Sequence, residues 1–322
     1  MSSLIFSGRS NPELTKNISK ILKCKEEVEV DGVVNITNFP SGEIYCQYGN
    51  NIRGKDVFIV QSTNNPNEDW MELLLLIQSA RLASANKITV VIPYFSYTRQ
   101  DRKSQPRSPI SARLVLDLLE KAGATRIITL DLHNISIQGF SSVPLDSLLP
   151  CNLLINYFRK HLFKNADLKD WLLMSPDVGG IKKVEKYSEF MNIDFGIVHK
   201  KRIDAEKVEQ KVILGEVEGK NILLIDDMTE SLGTLSGAAE LLKKEGAKQV
   251  IAFVTHMPLT SKGKSNLKKE KFIDQILTTN STSNIPNHKK IKIINIAPML
   301  SDAISRTMNN KSISSLFDIK GF

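Results

Sequence analysis

Cysteine is scarce in this chain. Cys24, Cys46 and Cys151 are all it has among 322 residues. Three widely spaced cysteines build no disulfide framework, and none stands at a metal-ligand spacing. That usage fits a reducing, cytoplasmic compartment. Long apolar runs are also missing. Stretches such as Leu73–Ile77 are far too short to span a bilayer, and the first residues hold no apolar signal segment, so no membrane role is expected. Negative charge is in short supply: 35 Asp and Glu stand against 43 Lys and Arg, a net charge of +8. That balance favours anionic partners, either nucleic acid or small phosphorylated ligands. The lysines from Lys262 to Lys292 have only Phe272 interleaved among them. Bases would find no stacking platform there, so no nucleic-acid partner is expected. The pattern G-x-x-x-x-G-K-[ST] does not occur, nor does the protein-kinase signature set, which excludes those two phosphoryl-transfer classes.

What remains is ordinary globular composition, with 41% apolar and 24% charged residues and enough length for two medium domains. Apolar runs alternate with helical patterns. Residues 56–61 and 87–93 read as strands, as do 125–130, 171–174, 194–198, 210–214, 221–225, 249–254 and 291–296. Residues 70–85, 109–122, 152–161 and 298–308 read as helices, with another from about Ile181. Residues 262–290 look irregular and polar. Such alternation predicts an α/β fold of mostly parallel sheets flanked by helices. The rhythm restarts near Pro150. The expected halves are residues 1–148 and 149–308, with a tail over 309–322.

The stretch Asn221-Ile-Leu-Leu-Ile-Asp-Asp-Met-Thr-Glu-Ser-Leu-Gly-Thr234 is the most telling. A buried strand ends in Asp226 and Asp227, a short loop follows, and a helix begins. Adjacent carboxylates cannot both be core residues, because unpaired buried charge is too costly. They suit a cavity holding sugar hydroxyls or Mg²⁺, and the helix start suits a phosphate. A strand ending in two solvated acids is the plain alternative. Arg99-Gln100-Asp101 follows another strand end, where open α/β sheets bind ligands. Arg99 can grip a phosphate, while Gln100 and Asp101 can read a purine edge or ribose. His133, two residues after Asp131, is a candidate metal ligand. Asp177 lies in Ser-Pro-Asp-Val-Gly-Gly and is a ligand, an N-cap or both. Lys200 and Arg202 follow the strand expected to end at Val198, in a polar segment that could close over transferring phosphates.

Taken together, these motifs resemble the ribose-phosphate pyrophosphokinase family of the common phosphate-dependent class. The resemblance spans nearly the whole chain. Its most specific pieces are Arg53-Gly54, Met71-Glu-Leu-Leu, Arg99-Gln-Asp, Pro109-Ile-Ser-Ala, Asp131-Leu-His, Ser175-Pro-Asp, Gly179-Gly180, Asp226-Asp-Met and Thr255-His256. It implies two tandem phosphoribosyltransferase-type domains. The implied reaction moves the β,γ-diphosphate of ATP to the 1-hydroxyl of ribose 5-phosphate, with Mg²⁺ as cofactor. It also implies a homo-oligomer, a hexamer, or a hetero-oligomer with paralogous subunits. By position, Arg99, Gln100 and Asp101 contact ATP, and Phe39 and Glu43 reach adenine from a neighbouring subunit. His133 and Asp177 meet the metal. Asp226 and Asp227 hold the ribose, Asp177 lies beside them, and Glu230, Ser231, Leu232, Gly233 and Thr234 hold its phosphate. Lys200 and Arg202 carry the catalysis.

The chain departs from the family pattern in places. Glu230-Ser-Leu-Gly-Thr234 replaces the usual Asp-Thr-Gly-Gly-Thr or Asp-Thr-Cys-Gly-Thr. Leu232 either turns towards the following helix or narrows the pocket, and a moderate penalty on the sugar phosphate is expected. Ser41 stands where the family has an acid, and Glu206 near a usual Asn. Two rivals follow: a non-catalytic paralogue that regulates active subunits, and a simple phosphoribosyltransferase. The doubled domain and Arg99-Gln-Asp disfavour the second.

Overall fold

A computed structural model of the chain describes residues 3–26, 31–162, 167–202 and 209–316, without the side chains of residues 26, 200–202, 209–211 and 315. These residues divide into two units. The first takes the chain up to Leu149, then Ser281–Ser283 and the segment from Asn295. The second takes Pro150–Asn280 and Asn284–Ile294.

In the first unit, β1 (Ser3–Ser7) leads to α1 (Pro12–Glu26) and a hairpin of β2 (Val34–Asn38) and β3 (Ile44–Tyr48). There follow β4 (Asp56–Val60), α2 (Pro66–Leu82), β5 (Lys87–Ile92), α3 (Ser111–Ala122), β6 (Arg126–Leu130) and β7 (Leu145–Leu148). The sheet order is β1-β4-β5-β6-β7, and every pair is parallel. Val57–Val60 and Val90–Ile92 are apolar throughout because neither face of the sheet meets water. Pro66 opens α2, where its missing N–H costs nothing. Gly123 closes α3 at φ 129°, where a Cβ would crowd Arg81.

In the second unit come α4 (Cys151–His161), β8 (Trp171–Ser175), α5 (Ile181–Met191), β9 (Phe195–Arg202), β10 (Glu209–Leu214) and β11 (Asn221–Met228). Then follow α6 (Gly233–Lys244), β12 (Gln249–His256), α7 (Ser261–Lys269), β13 (Gln275–Thr279) and β14 (Ile291–Ile294). The order is β10-β9-β8-β11-β12-β13-β14. Only β10 runs antiparallel within this sheet. The α/β architecture of mostly parallel sheets read from the sequence is therefore the one observed.

Three differences matter. Residues 262–290 are not irregular, since they contain most of α7 and all of β13. Strand β9 does not stop at Val198. It runs to Arg202 because β10 pairs with it residue for residue, Arg202 opposite Glu209. The backbone of Lys200 and Arg202 thus lies on a strand, while residues 203–208, Glu206 among them, lie outside the described residues. Of the expected tail over 309–322, residues 317–322 lie outside them too. Finally, α8 (Ala297–Met308) joins the first unit, not the second half. It packs on α1, with the Ser301 hydroxyl donating to the Ile18 carbonyl at 3.3 Å.

Helix α2 carries two buried acids. Glu72 is 3% exposed, and Arg9 meets it through Nε at 2.6 Å and its backbone N–H at 2.7 Å. Gln61 Nε2 adds a third donor at 3.0 Å. A buried charge so paired is tolerated where an unpaired one is not. Asp69 has less help, mainly the Asn65 N–H at 2.7 Å. Burial pushes its carboxyl up from 3.8 to about 6, with the charge of Glu72 adding to the rise. Between those values the folded state holds the Asp69 proton more tightly than the unfolded chain does. The resulting stability is full below the unfolded value and is lost as pH rises through about 6. Asp69→Asn can still accept the Asn65 N–H but carries no charge. It is expected to raise the melting temperature at pH 8 and to gain little or nothing at pH 5. Equal gains at both pH values would contradict the assignment.

Candidate active site

Strand β11 is central, lying between β8 and β12. Its residues Ile222, Leu223, Leu224 and Ile225 are fully buried, so the strand must shed its apolar character to reach water. It does so at Asp226 and Asp227, which are still on the strand. The Asp227 N–H donates to Asp226 Oδ1 at 2.9 Å. Burial, and then the charge of Asp227, push the Asp226 carboxyl well above the usual carboxylate range; Lys183 pulls it back and Asp177 pushes it further. The acids thus form one coupled, partly desolvated group. Lys183 Nζ lies 3.9 Å from Asp227 Oδ1 and is itself largely buried. Sequence reasoning missed this lysine. Its signal was a cation one turn inside the helix that follows Gly179-Gly180.

Asp177 caps the turn before α5. Its Oδ1 accepts the Gly180 N–H at 3.2 Å. The capping role is therefore real, and its charge also reaches Asp226. Gly180 leaves room for the Ser175 hydroxyl, which a Cβ would crowd.

The loop after β11 is tightly built. Thr229 is buried, and its Oγ1 accepts the Leu232 N–H at 3.0 Å. Leu232 adopts φ 62° and ψ −1°, the left-handed region, and serves as N-cap of α6. Its side chain is 0% exposed and sits in the core with Leu235, Leu259 and Leu267. The expected crowding of the phosphate pocket by Leu232 is thus corrected, because the side chain turns inward. Left-handed backbone costs a non-glycine residue roughly 1–2 kcal/mol, which burial of about 1.5–3 kcal/mol offsets. Ser231 Oγ accepts the Gly233 N–H at 3.3 Å. Among the described residues, no protein acceptor meets the N–H of Ser231, Thr234 or Leu235. These donors and the positive end of α6 form an anion cradle beside the two acids.

The first unit gathers a second set of residues. Asp131 closes β6 at φ 45°, and the turn leaves His133 exposed. Asn134 Nδ2 donates to Asp101 Oδ2 at 2.6 Å, bringing the Arg99-Gln100-Asp101 motif against the loop of His133. Arg99 is exposed. Gln100 Oε1 accepts the Ser111 hydroxyl at 2.6 Å, at the start of α3. Phe39 and Glu43 sit at the β2–β3 turn, closed by Gly42 N–H to Phe39 O and Phe39 N–H to Glu43 O, both at 2.8 Å. Phe39 is 54% exposed. Ser41 Oγ donates to Glu43 Oε2 at 2.6 Å, so the serine that replaces an acid orients the remaining one. Arg9 Nη1 reaches Asn38 Oδ1 at 2.6 Å and ties this turn to the buried Glu72. Of Lys200 and Arg202, only the backbone position on β9 is described.

A mostly parallel α/β sheet whose central strand ends in paired acids beside open backbone donors presents the kind of strand end at which such sheets bind ligands. Comparison with known proteins sharpens this. The model for the N-terminal domain of ribose phosphate pyrophosphokinase matches residues 3–123, and that for the phosphoribosyl synthetase-associated domain matches residues 194–318. The ribose-phosphate pyrophosphokinase of Fusobacterium nucleatum is 40% identical over 318 residues, covering 98% of each chain. That of Chlorobaculum tepidum is 41% identical over 320 residues, covering 98% of this chain and 95% of the other. The crystal structure of phosphoribosylpyrophosphate synthetase from Mycobacterium smegmatis superposes with a TM-score of 0.88 at 34% identity, over 96% of this chain and 100% of that one. The chain belongs to the ribose-phosphate pyrophosphokinase family.

Leu232→Gly exchanges a buried side chain for an easier backbone. Loss of the side chain outweighs the relief, so destabilisation by about 1–3 kcal/mol is expected. Denaturant unfolding measures this, and a stabilised variant would place the leucine outside the core.

Proposed function

We propose that this protein is a ribose-phosphate diphosphokinase. It transfers the β,γ-diphosphate of ATP to ribose 5-phosphate and yields phosphoribosyl pyrophosphate and AMP. The observation that carries this reading is the end of β11, where paired acids adjoin an anion cradle. In the reaction the 1-hydroxyl oxygen bonds to the β-phosphorus. The bond from that phosphorus to the bridging oxygen of the α-phosphate breaks, AMP leaves with the electron pair, and the hydroxyl proton goes to water.

Each residue has a proposed part. Asp226 and Asp227 accept hydrogen bonds from the ribose hydroxyls, with Asp177 beside them and Lys183 keeping the pair charged enough to do so. The N–H groups of Glu230, Ser231, Leu232, Gly233 and Thr234 line the loop, and those of Ser231 and Thr234 are the ones open to the 5-phosphate. Arg99, Gln100 and Asp101 hold ATP. Lys200 and Arg202 stabilise the diphosphate in flight. No covalent nucleophile is needed, because positioning and charge neutralisation suffice.

The family resemblance implies Mg²⁺. Among the described residues, no three His, Cys, Asp or Glu side chains cluster as a metal cage. That fits a cation held by substrate phosphates, waters and one or two protein groups, the habit of Mg²⁺. His133 and Asp177 are each a donor that the family resemblance implies for it. Bound with ATP, the ion would neutralise phosphate charge.

An oligomer, a hexamer or an assembly with paralogous subunits, is part of the proposal. The exposed ring of Phe39 at a stiffened hairpin tip supports it, as a group offered to a neighbouring subunit's adenine. Among the described residues no helix is long and apolar enough to cross a membrane, in keeping with a cytoplasmic enzyme. The regulatory-paralogue rival drew on the altered 230–232 loop and on the acid lost at Ser41; the inward Leu232 weakens the first motive, and the Ser41 hydroxyl donates to the remaining acid, Glu43.

Purified protein with ATP, Mg²⁺ and ribose 5-phosphate should release AMP and phosphoribosyl pyrophosphate in equal amounts. ADP in place of AMP, or no product, would sink the reading. Lys200→Ala and Arg202→Ala should each lower kcat by about 10²–10³ with little change in the KM for ATP. A rise in KM alone would remove both residues from the transition state.

A further inference from the structure

Helix α7 lies against the phosphate loop. The Glu230 carbonyl accepts from the Thr260 N–H at 3.0 Å and from the Thr260 hydroxyl at 3.1 Å. The Ser231 carbonyl accepts from Asn266 Nδ2 at 2.9 Å. Thr260 is also the N-cap of α7, its Oγ1 accepting the Gly263 N–H at 3.2 Å. Gly263 lies so close that a Cβ there would overlap the Glu230 carbonyl oxygen.

The geometry of the peptide group gives these contacts a consequence. A planar trans peptide points its C=O and N–H in opposite directions. The peptide that turns the Glu230 carbonyl to α7 therefore turns the Ser231 N–H away from it. The next peptide turns the Leu232 N–H away likewise, where Thr229 Oγ1 takes it. Leu232 is pinned in the core at φ 62°, so the chain cannot rotate freely at its far end. With both carbonyls held towards α7, neither is turned the way of the Ser231 N–H. Either carbonyl, if released, could flip towards the anion and repel it.

We propose that α7 is a strap for the phosphate loop, with Thr260 and Asn266 as positioning residues that keep the Glu230 and Ser231 carbonyls off the ligand. Neither touches the sugar phosphate. The proposal rests on reading the 230–234 loop as the 5-phosphate site. It extends that site to a helix whose lysine-rich sequence reads as a solvated surface.

Steady-state kinetics of the full-length enzyme test it, with melting temperatures recorded for every variant. Asn266→Ala and Thr260→Val should each raise the KM for ribose 5-phosphate about fivefold, the scale of one lost hydrogen bond. Asn266→Asp should raise it more, since a carboxylate would repel the Ser231 carbonyl. The KM for ATP should stay within twofold, and Thr260→Ser, which keeps the hydroxyl, should behave as wild type. An unchanged KM for ribose 5-phosphate in Asn266→Ala and Asn266→Asp would overturn the strap. So would an equal rise in both KM values with a falling melting temperature, the mark of a general structural role. If the wild type releases no AMP, the activity reading fails, and calorimetric binding of ribose 5-phosphate to the same variants still decides the strap. Weaker binding by Asn266→Asp upholds it, and equal binding, or none by the wild type, overturns it.

Discussion

A strand buried on both faces cannot carry charge until it leaves the core, and β11 meets that limit at Asp226. Ile222–Ile225 belong wholly to the interior. The next two residues are adjacent carboxylates, one of them held well above its ordinary range by burial and by its neighbour. Such a pair is costly unless something at the site uses it. Lys183 offsets part of that cost from α5, and Asp177 adds to it. The second unit thus concentrates electrostatic strain at one strand end, where parallel sheets bind ligands.

The loop beyond the acids shows how a sequence can hold a tight turn with an unusual residue. A left-handed N-cap is the natural place for glycine. Here leucine occupies it and is anchored by the core instead. Flexibility is exchanged for a hydrophobic anchor, and α7 supplies the remaining restraints. The loop is over-determined: a buried side chain, a threonine hydroxyl inside the turn, and three hydrogen bonds from the Thr260–Asn266 segment.

Much of this was legible in the sequence. The apolar runs of β4, β5, β6, β8, β11 and β12 are bounded by polar turns, and period alone separates them from α3 and α4. The aspartate pair was legible because two adjacent acids after four apolar residues have few structural uses. Other parts were not. The extension of β9 through His199-Lys-Lys-Arg202 has no apolar period, and only pairing with β10 makes it a strand. Helix α7 is lysine-rich with just Leu267 and Gly263 buried, so its composition reads as a loop. The direction of Leu232 depends on one backbone dihedral that no pattern announces. Lys183 lies far from Asp227 in the chain, and only the fold brings them together. Membership of α8 in the first unit likewise depends on its contact with α1, a long-range fact.

Amide hydrogen exchange, read residue by residue, tests the central claim that the β11–α6 turn is the sugar-phosphate site. Adding ribose 5-phosphate alone should slow exchange at Ser231, Thr234 and Leu235, whose N–H groups have no protein acceptor among the described residues. Leu232, already bonded to Thr229, should change least within the loop. Unchanged exchange at Ser231, Thr234 and Leu235, with protection appearing elsewhere, would contradict the account.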